Sequence, residues 1–178
     1  MGGVAAYPGS FDPPTVAHLA LAEAARRQVR LERVDLVLSR QPLGKDRRGP
    51  SVEERAAVLE KVAAARPWLG VRIVEARLVA DVAAGYDAVI MGADKWAQVV
   101  DPAWYGGSAE RRDQALARLP RVLVAPRDGS PPPDGLPEGA LVLELHAGHA
   151  GVSSTLARAG RSEWVLPEAL ASGLWAFP

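Results

Sequence analysis

Short apolar runs alternate along this chain with longer amphipathic stretches. The runs are Val4–Tyr7, Asp35–Ser39, Val71–Glu75, Asp87–Met91, Arg121–Ala125 and Leu141–Leu145. Each is short and bounded by Gly, Pro or polar residues, which predicts buried strands. Between them, Thr15 to Arg30 carries Val16, Leu19, Ala20, Ala24 and Val29 toward one helical face and Glu23, Arg26, Arg27 and Arg30 toward the other. Ser51 and Glu54 form a capping-box signature, and Val52, Ala56, Leu59, Val62 and Ala63 continue a helix until Pro67. Ser108–Leu119 predicts a charged amphipathic helix, Val152 to Ala159 another, and Pro167 opens a last short one.

Strands alternating with helices at this spacing predict right-handed βαβ units, hence an α/β, doubly wound parallel sheet of Rossmann-like type with about five or six strands. No internal repeat is present. Pro126–Gly139 holds five prolines and reads as a surface connection. The expectation is a single domain over residues 1–178 with a small helical part at about 151–178.

Composition narrows the function classes. The 178 residues carry 21 basic and 21 acidic side chains, so no overall field draws the chain to nucleic acid or to an anionic membrane, and any anion site has to be local. Cysteine is absent, which removes disulfides, thiolate metal sites and a cysteine nucleophile, and fits a reducing compartment. The first residues lack the pattern of a signal peptide and no apolar run approaches a membrane span, so a cytoplasmic protein is expected.

The most pointed chemistry lies in Tyr7–His18, YPGSFDPPTVAH. Gly9 permits a sharp exit from the first strand that exposes peptide N–H groups, Thr15 can cap the next helix, and His18 falls in that helix's first turn. An anion cradle and an imidazole would then share a site. A basic loop follows the second strand with Lys45, Arg47 and Arg48, and the fourth strand ends at Gly92 with Asp94 just beyond. Ser153, Ser154 and Thr155 open a helix, with Arg158 at i+4 from Ser154, an arrangement suited to a triphosphate. Each of these alone reads equally as an ordinary turn, loop or cap; the three Gly- or Ser-rich ones stand at strand ends of one small sheet, where ligands of such sheets bind.

The ordered set GSFDPPTVAH, a lysine loop before SVEER, MGADKW, the Trp104–Tyr105 pair and VSSTLAR resembles the nucleotidylyltransferase superfamily of adenylyltransferases and cytidylyltransferases over nearly the whole chain. Among its branches, MGAD, the Trp-Tyr pair and VSSTLAR followed by WVLPEAL look most like the nicotinate or nicotinamide mononucleotide adenylyltransferases. The resemblance implies ATP as co-substrate with Mg2+ bridging its phosphates, and AMP transfer to the mononucleotide with release of pyrophosphate. It implies a phosphate cradle at Gly9, Ser10 and Phe11, with Thr15 and His18 in the signature that follows and His18 donating to the transferring phosphate. Lys45 would neutralise charge. Ser153, Ser154, Thr155 and Arg158 would grip the β and γ phosphates, Gly92 and Asp94 would contact the ribose or adjoining backbone, and Trp104 and Tyr105 would stack on a pyridine ring. No protein-held metal site is expected, and the partners are small-molecule nucleotides, with homo-oligomer formation left open.

Two departures bear on the acceptor. The signature usually written His-x-Gly-His is here Thr15-Val16-Ala17-His18, and its first position resembles the pantetheine-phosphate branch. The segment between the third and fourth strands, ARLVADVAAGY, lacks the Ser/Thr-rich helix of the mononucleotide branch. Alternative readings are an adenylyl- or cytidylyltransferase for another phosphorylated acceptor, pantetheine phosphate-like for example, or a catalytically silent nucleotide-binding module. The string HAGH at 146–149 repeats the signature outside its context; a zinc reading of His146 and His149 is weaker still, because a third ligand is missing.

Overall fold

A computed structural model describes residues 2–42, 49–126 and 132–177. The elements run β1 (Val4–Pro8), α1 (Val16–Gln28), β2 (Arg33–Ser39), α2 (Val52–Ala64), β3 (Leu69–Val74), α3 (Val79–Val82), β4 (Ala88–Gly92) and α4 (Ala93–Val100). A 3-10 turn (Pro102–Tyr105) precedes α5 (Ala109–Leu116), β5 (Arg121–Ala125) and β6 (Leu141–Val142). The chain closes with α6 (Ala147–Ala150), α7 (Ser154–Arg158), a second 3-10 turn (Ser162–Trp164) and α8 (Pro167–Ser172).

All pairings are parallel, and the six strands stand in the order β3-β2-β1-β4-β5-β6. The expected doubly wound sheet is therefore present, and its strand order reverses between β1 and β4. A crevice opens there beyond the carboxyl ends of the strands, where such sheets hold ligands.

Alternation along the strands divides the core. Ala5, Tyr7, Ala88, Ile90, Leu123 and Ala125 join Leu21, Ala22 and Ala25 of α1 and Leu59 and Val62 of α2. Ala6, Val89, Met91, Val122 and Val124 face the other way and join Val82 of α3 and Trp96 and Val99 of α4. The four central strands β1, β2, β4 and β5 are buried on both faces, as helices covering both sides of a parallel sheet require. A third cluster, Val58, Ala157, Val165, Ala169 and Trp175, seats the C-terminal segment on α2.

Several boundaries differ from the sequence expectation. The buried residues of α1 are Leu21, Ala22 and Ala25, while Val16, Leu19 and Val29 are only partly covered; alanines at the centre let the helix lie close to the sheet. β3 begins at Leu69, two positions ahead of Val71, because Gly70 fits beneath the Asp35 side chain, where a Cβ would lie 2.1 Å from Oδ1. β6 stops at Val142, since the Gln28 side-chain amide takes over the backbone of Glu144: Nε2 donates to its carbonyl at 2.9 Å and Oε1 accepts from its N–H at 3.0 Å. Two short helices, α3 and α6, arise in segments that carry no helical period in the sequence.

Candidate active site

The segment after β1 builds the first wall of the site. Gly9 donates its N–H to the Val37 carbonyl at 3.1 Å, extending the sheet by one more bond. That donor is therefore committed to the sheet. Phe11 adopts a left-handed backbone (φ 46°) and turns its ring inward, 1% exposed. The ring lies edge-on to Tyr7 at 5.5 Å and to His18 at 5.0 Å between centroids. A Cβ on Gly9 would come within 2.7 Å of this ring, so the close approach itself requires glycine.

Thr15 precedes α1 and His18 is that helix's third residue. The Thr15 N–H donates to His18 Nδ1 at 2.9 Å, and Thr15 Oγ1 lies 2.9 Å from the same nitrogen. Histidine here takes the part that Glu or Gln plays in a capping box. An amide can only donate, so Nδ1 accepts and Nε2 carries the ring proton. The helix start thereby fixes both the tautomer and the orientation of the imidazole.

The other walls come from three further strand ends and a distant helix. A cavity of about 1120 Å³ is lined by Gly9, Ser10, Thr15 and His18 from the first loop and by Gly92 and Asp94 at the end of β4. It continues past Trp104 and Tyr105 on the 3-10 turn to Ser153, Ser154, Thr155 and Arg158 on α7. Lys45 lies outside the described residues. The Phe11 ring serves the core beneath the loop. The cavity thus gathers every other expected site residue.

The aromatic turn is held firmly. Asp101 accepts from the Ala103 N–H at 2.9 Å, and Tyr105 Oη donates to the Val99 carbonyl at 2.9 Å. Desolvation raises the Tyr105 pKa, as burial also does for Tyr7, so both phenols stay neutral. Arg77, Leu78, Val79 and Val82 line the cavity from the segment around α3.

Contacts far apart in sequence join the first loop to the C-terminal segment. Ser154 Oγ donates to the Pro13 carbonyl at 2.7 Å, the Leu166 N–H donates to the Pro14 carbonyl at 3.1 Å, and Thr15 bridges to Val165. Arg158 donates through Nη1 to the Asp12 carbonyl and lies 3.6 Å from Asp12 Oδ2. Trp175 Nε1 donates to Asp12 Oδ1 at 2.6 Å. From α2, Arg55 Nη1 donates to the Ser10 carbonyl; desolvation lowers its pKa against the pull of Asp12 and Glu53, but a guanidinium stays charged. Asp12, Arg55 and Trp175 escaped sequence reasoning. Asp12 and Arg55 left a trace there only as residues of the quoted strings GSFDPPTVAH and SVEER, and Trp175 left none.

His149 lines the cavity with its Nδ1 buried and without a hydrogen-bond partner, whereas His146 caps α6 by accepting from the Gly148 N–H at 3.3 Å. Their ring centroids are 6.2 Å apart. Among the described residues, no cluster of three His, Asp or Glu side chains forms a metal site, and no helix is long and apolar enough to cross a membrane.

The family model described as Cytidylyltransferase-like matches residues 6–160, and the chain belongs to that nucleotidyltransferase family. Probable nicotinate-nucleotide adenylyltransferases of Bordetella pertussis and Bordetella parapertussis are each 39% identical to it over 67 residues, 38% of this chain and 34% of theirs. The matched stretch thus spans about a third of the length of those relatives. In fold, the chain resembles a Plasmodium falciparum nicotinic acid mononucleotide adenylyltransferase complexed with NaAD, with a TM-score of 0.68, 13% identity, and coverage of 97% of this chain and 94% of that one.

Proposed function

We propose that this member of the cytidylyltransferase-like family transfers AMP from ATP to nicotinate or nicotinamide mononucleotide, forming the dinucleotide and releasing pyrophosphate. The observation that carries the reading is the single cavity shared by the loop after β1, the end of β4, the aromatic turn and the Ser/Thr-rich start of α7. Donor phosphates and an aromatic acceptor can meet there.

An oxygen of the mononucleotide phosphate attacks the α-phosphorus of ATP in line. The new P–O bond forms as the bond to the β-phosphate oxygen breaks, and pyrophosphate leaves with that electron pair. The nucleophile is already an anion, so no general base is needed. The protein supplies alignment and charge neutralisation. His18, held by Thr15, donates Nε2–H to the oxygens that gain charge in the transition state. Amides of Ser10 and Phe11, at the turn set by Gly9, cradle the same phosphates. Ser153, Ser154, Thr155 and Arg158 hold the β and γ phosphates. Gly92 and Asp94 receive the ribose. Trp104 and Tyr105 stack on the pyridine ring, and Lys45 adds charge from its loop, a role that rests on resemblance alone.

Mg2+ carried by the nucleotide would supply further neutralisation of phosphate charge. The aliphatic wall of Leu78, Val79 and Val82 favours a second reading, transfer of AMP or CMP to a different phosphorylated acceptor. Pyrophosphate release, assayed with ATP or CTP against a panel of phosphorylated acceptors, separates the two. Nucleotide binding without turnover on any acceptor would favour a silent module.

A further inference from the structure

We propose that Trp175 is a positioning residue for the nucleotide-donor half of the site, acting through Asp12 on Arg158; the inference rests on the adenylyltransferase reading above.

Asp12 stands between two partners. Its Oδ1 accepts from Trp175 Nε1 at 2.6 Å, while Oδ2 lies 3.6 Å from Arg158 Nη1 and its own carbonyl accepts from that nitrogen. Asp12 and Arg158 line the cavity, and Trp175 does not. The indole is 8% exposed and sits in the cluster of Val58, Ala157, Val165 and Ala169, so its N–H direction is fixed by packing on α2 and on the residue just before Arg158. Asp12 itself follows Phe11, whose positive φ bends the loop. Fixing one carboxylate oxygen with a buried, directional donor fixes the other, and with it the face on which Arg158 rests.

Arg158 is 43% exposed on its side chain and Asp12 25%, so their ion pair alone would hold the guanidinium weakly. The charge-assisted indole bond supplies the missing rigidity. A guanidinium has five N–H donors, and the Asp12 contacts use Nη1, so the pair does not exhaust it toward a phosphate. Before ATP arrives Arg158 is already held at the cavity wall beside Ser154 and Thr155. Ordering it in advance lowers the entropy lost on binding.

Trp175→Phe keeps most of the packed ring and deletes the donor. Calorimetry on the full chain should show ATP dissociation about tenfold weaker, the scale of one charge-assisted bond. The acceptor KM should stay within about twofold, and the melting temperature should change little. Asp12→Asn should weaken ATP comparably, and adding Trp175→Phe to it should cost no more, because the tryptophan acts through the aspartate. ATP affinity within about twofold of wild type in Trp175→Phe overturns the inference. So does an equal loss for ATP and acceptor accompanied by a fall in melting temperature, which marks a merely structural role. If Trp175→Phe does not fold, Asp12→Asn decides: retained ATP affinity rejects the link. Wild-type protein that binds no ATP overturns the adenylyltransferase reading and this inference together. Binding by wild type that is unchanged in both variants removes this inference alone.

Discussion

The Thr15 N–H donates to His18 Nδ1 across 2.9 Å, so the bond that caps α1 also leaves the imidazole proton on Nε2. One contact thus serves folding and, in the proposed reaction, chemistry. The two roles scale differently when the ring is removed. A lost cap costs about 1 kcal/mol of stability, whereas a lost transition-state donor costs about two orders of magnitude or more in rate. His18→Ala should therefore lower kcat by about a hundredfold or more with little change in ATP affinity and a modest drop in melting temperature. An unchanged kcat would remove His18 from the reaction.

Thr15→Ala tests which part of threonine matters. The backbone N–H that orients His18 survives the substitution, and only the buried Oγ1 is lost. Activity should fall far less than in His18→Ala, with most of the penalty appearing as stability. Equal losses of kcat in the two variants would show that the hydroxyl, not the amide, holds the ring.

Gly9→Ala places a methyl group 2.7 Å from Phe11 Cζ, and Phe11 is 1% exposed with Tyr7 and His18 against it. The ring has no room to retreat. Overpacking of this kind costs about 1–3 kcal/mol, and the displaced loop should take catalytic rate with it. Thermal denaturation and turnover measured on the same preparation check both halves.

Trp104→Ala should raise the acceptor KM about tenfold, the scale of one lost aromatic stacking contact plus its buried surface, and leave the ATP constant unchanged. A change confined to ATP would contradict the assignment of the aromatic turn to the acceptor.

Asp35 provides a contrast away from the cavity. It is 4% exposed within β2 and receives Arg33 Nε at 2.6 Å and Tyr86 Oη at 3.0 Å, with Arg72 at 3.7 Å. Asp35→Ala leaves those donors without their charged acceptor and should cost about 2–4 kcal/mol in chemical denaturation. Kinetic constants of the molecules that remain folded should be close to those of wild type.

The sheet was legible because its central strands are buried on both faces and bounded by turn residues; β5 matches its expected Arg121–Ala125 limits residue for residue. The loop after β1 and the end of β4 were placed together for the same reason: they follow strands directly, and a doubly wound sheet brings such ends together, while the start of α7 reaches the same cavity only after α6. What sequence could not disclose depends on tertiary partners. Trp175 meets Asp12 across 163 positions, and Arg55 meets Ser10 across 45. Neither pairing leaves a local period or motif. β6 was overestimated because Glu144 satisfies its backbone through a side chain of α1, a substitution invisible to hydrophobic pattern. Residues 79–82 gave no helical signal because a single turn is too short to display a period.

The central claim is transfer of AMP from ATP to a pyridine mononucleotide. Incubation with nicotinate or nicotinamide mononucleotide and ATP labelled at either the α- or the γ-phosphate tests it most directly. Adenylyl transfer predicts α-label in the dinucleotide, γ-label in pyrophosphate, and equal amounts of the two products. γ-Label in inorganic phosphate, or ATP binding with no α-label transferred to either mononucleotide, would contradict it.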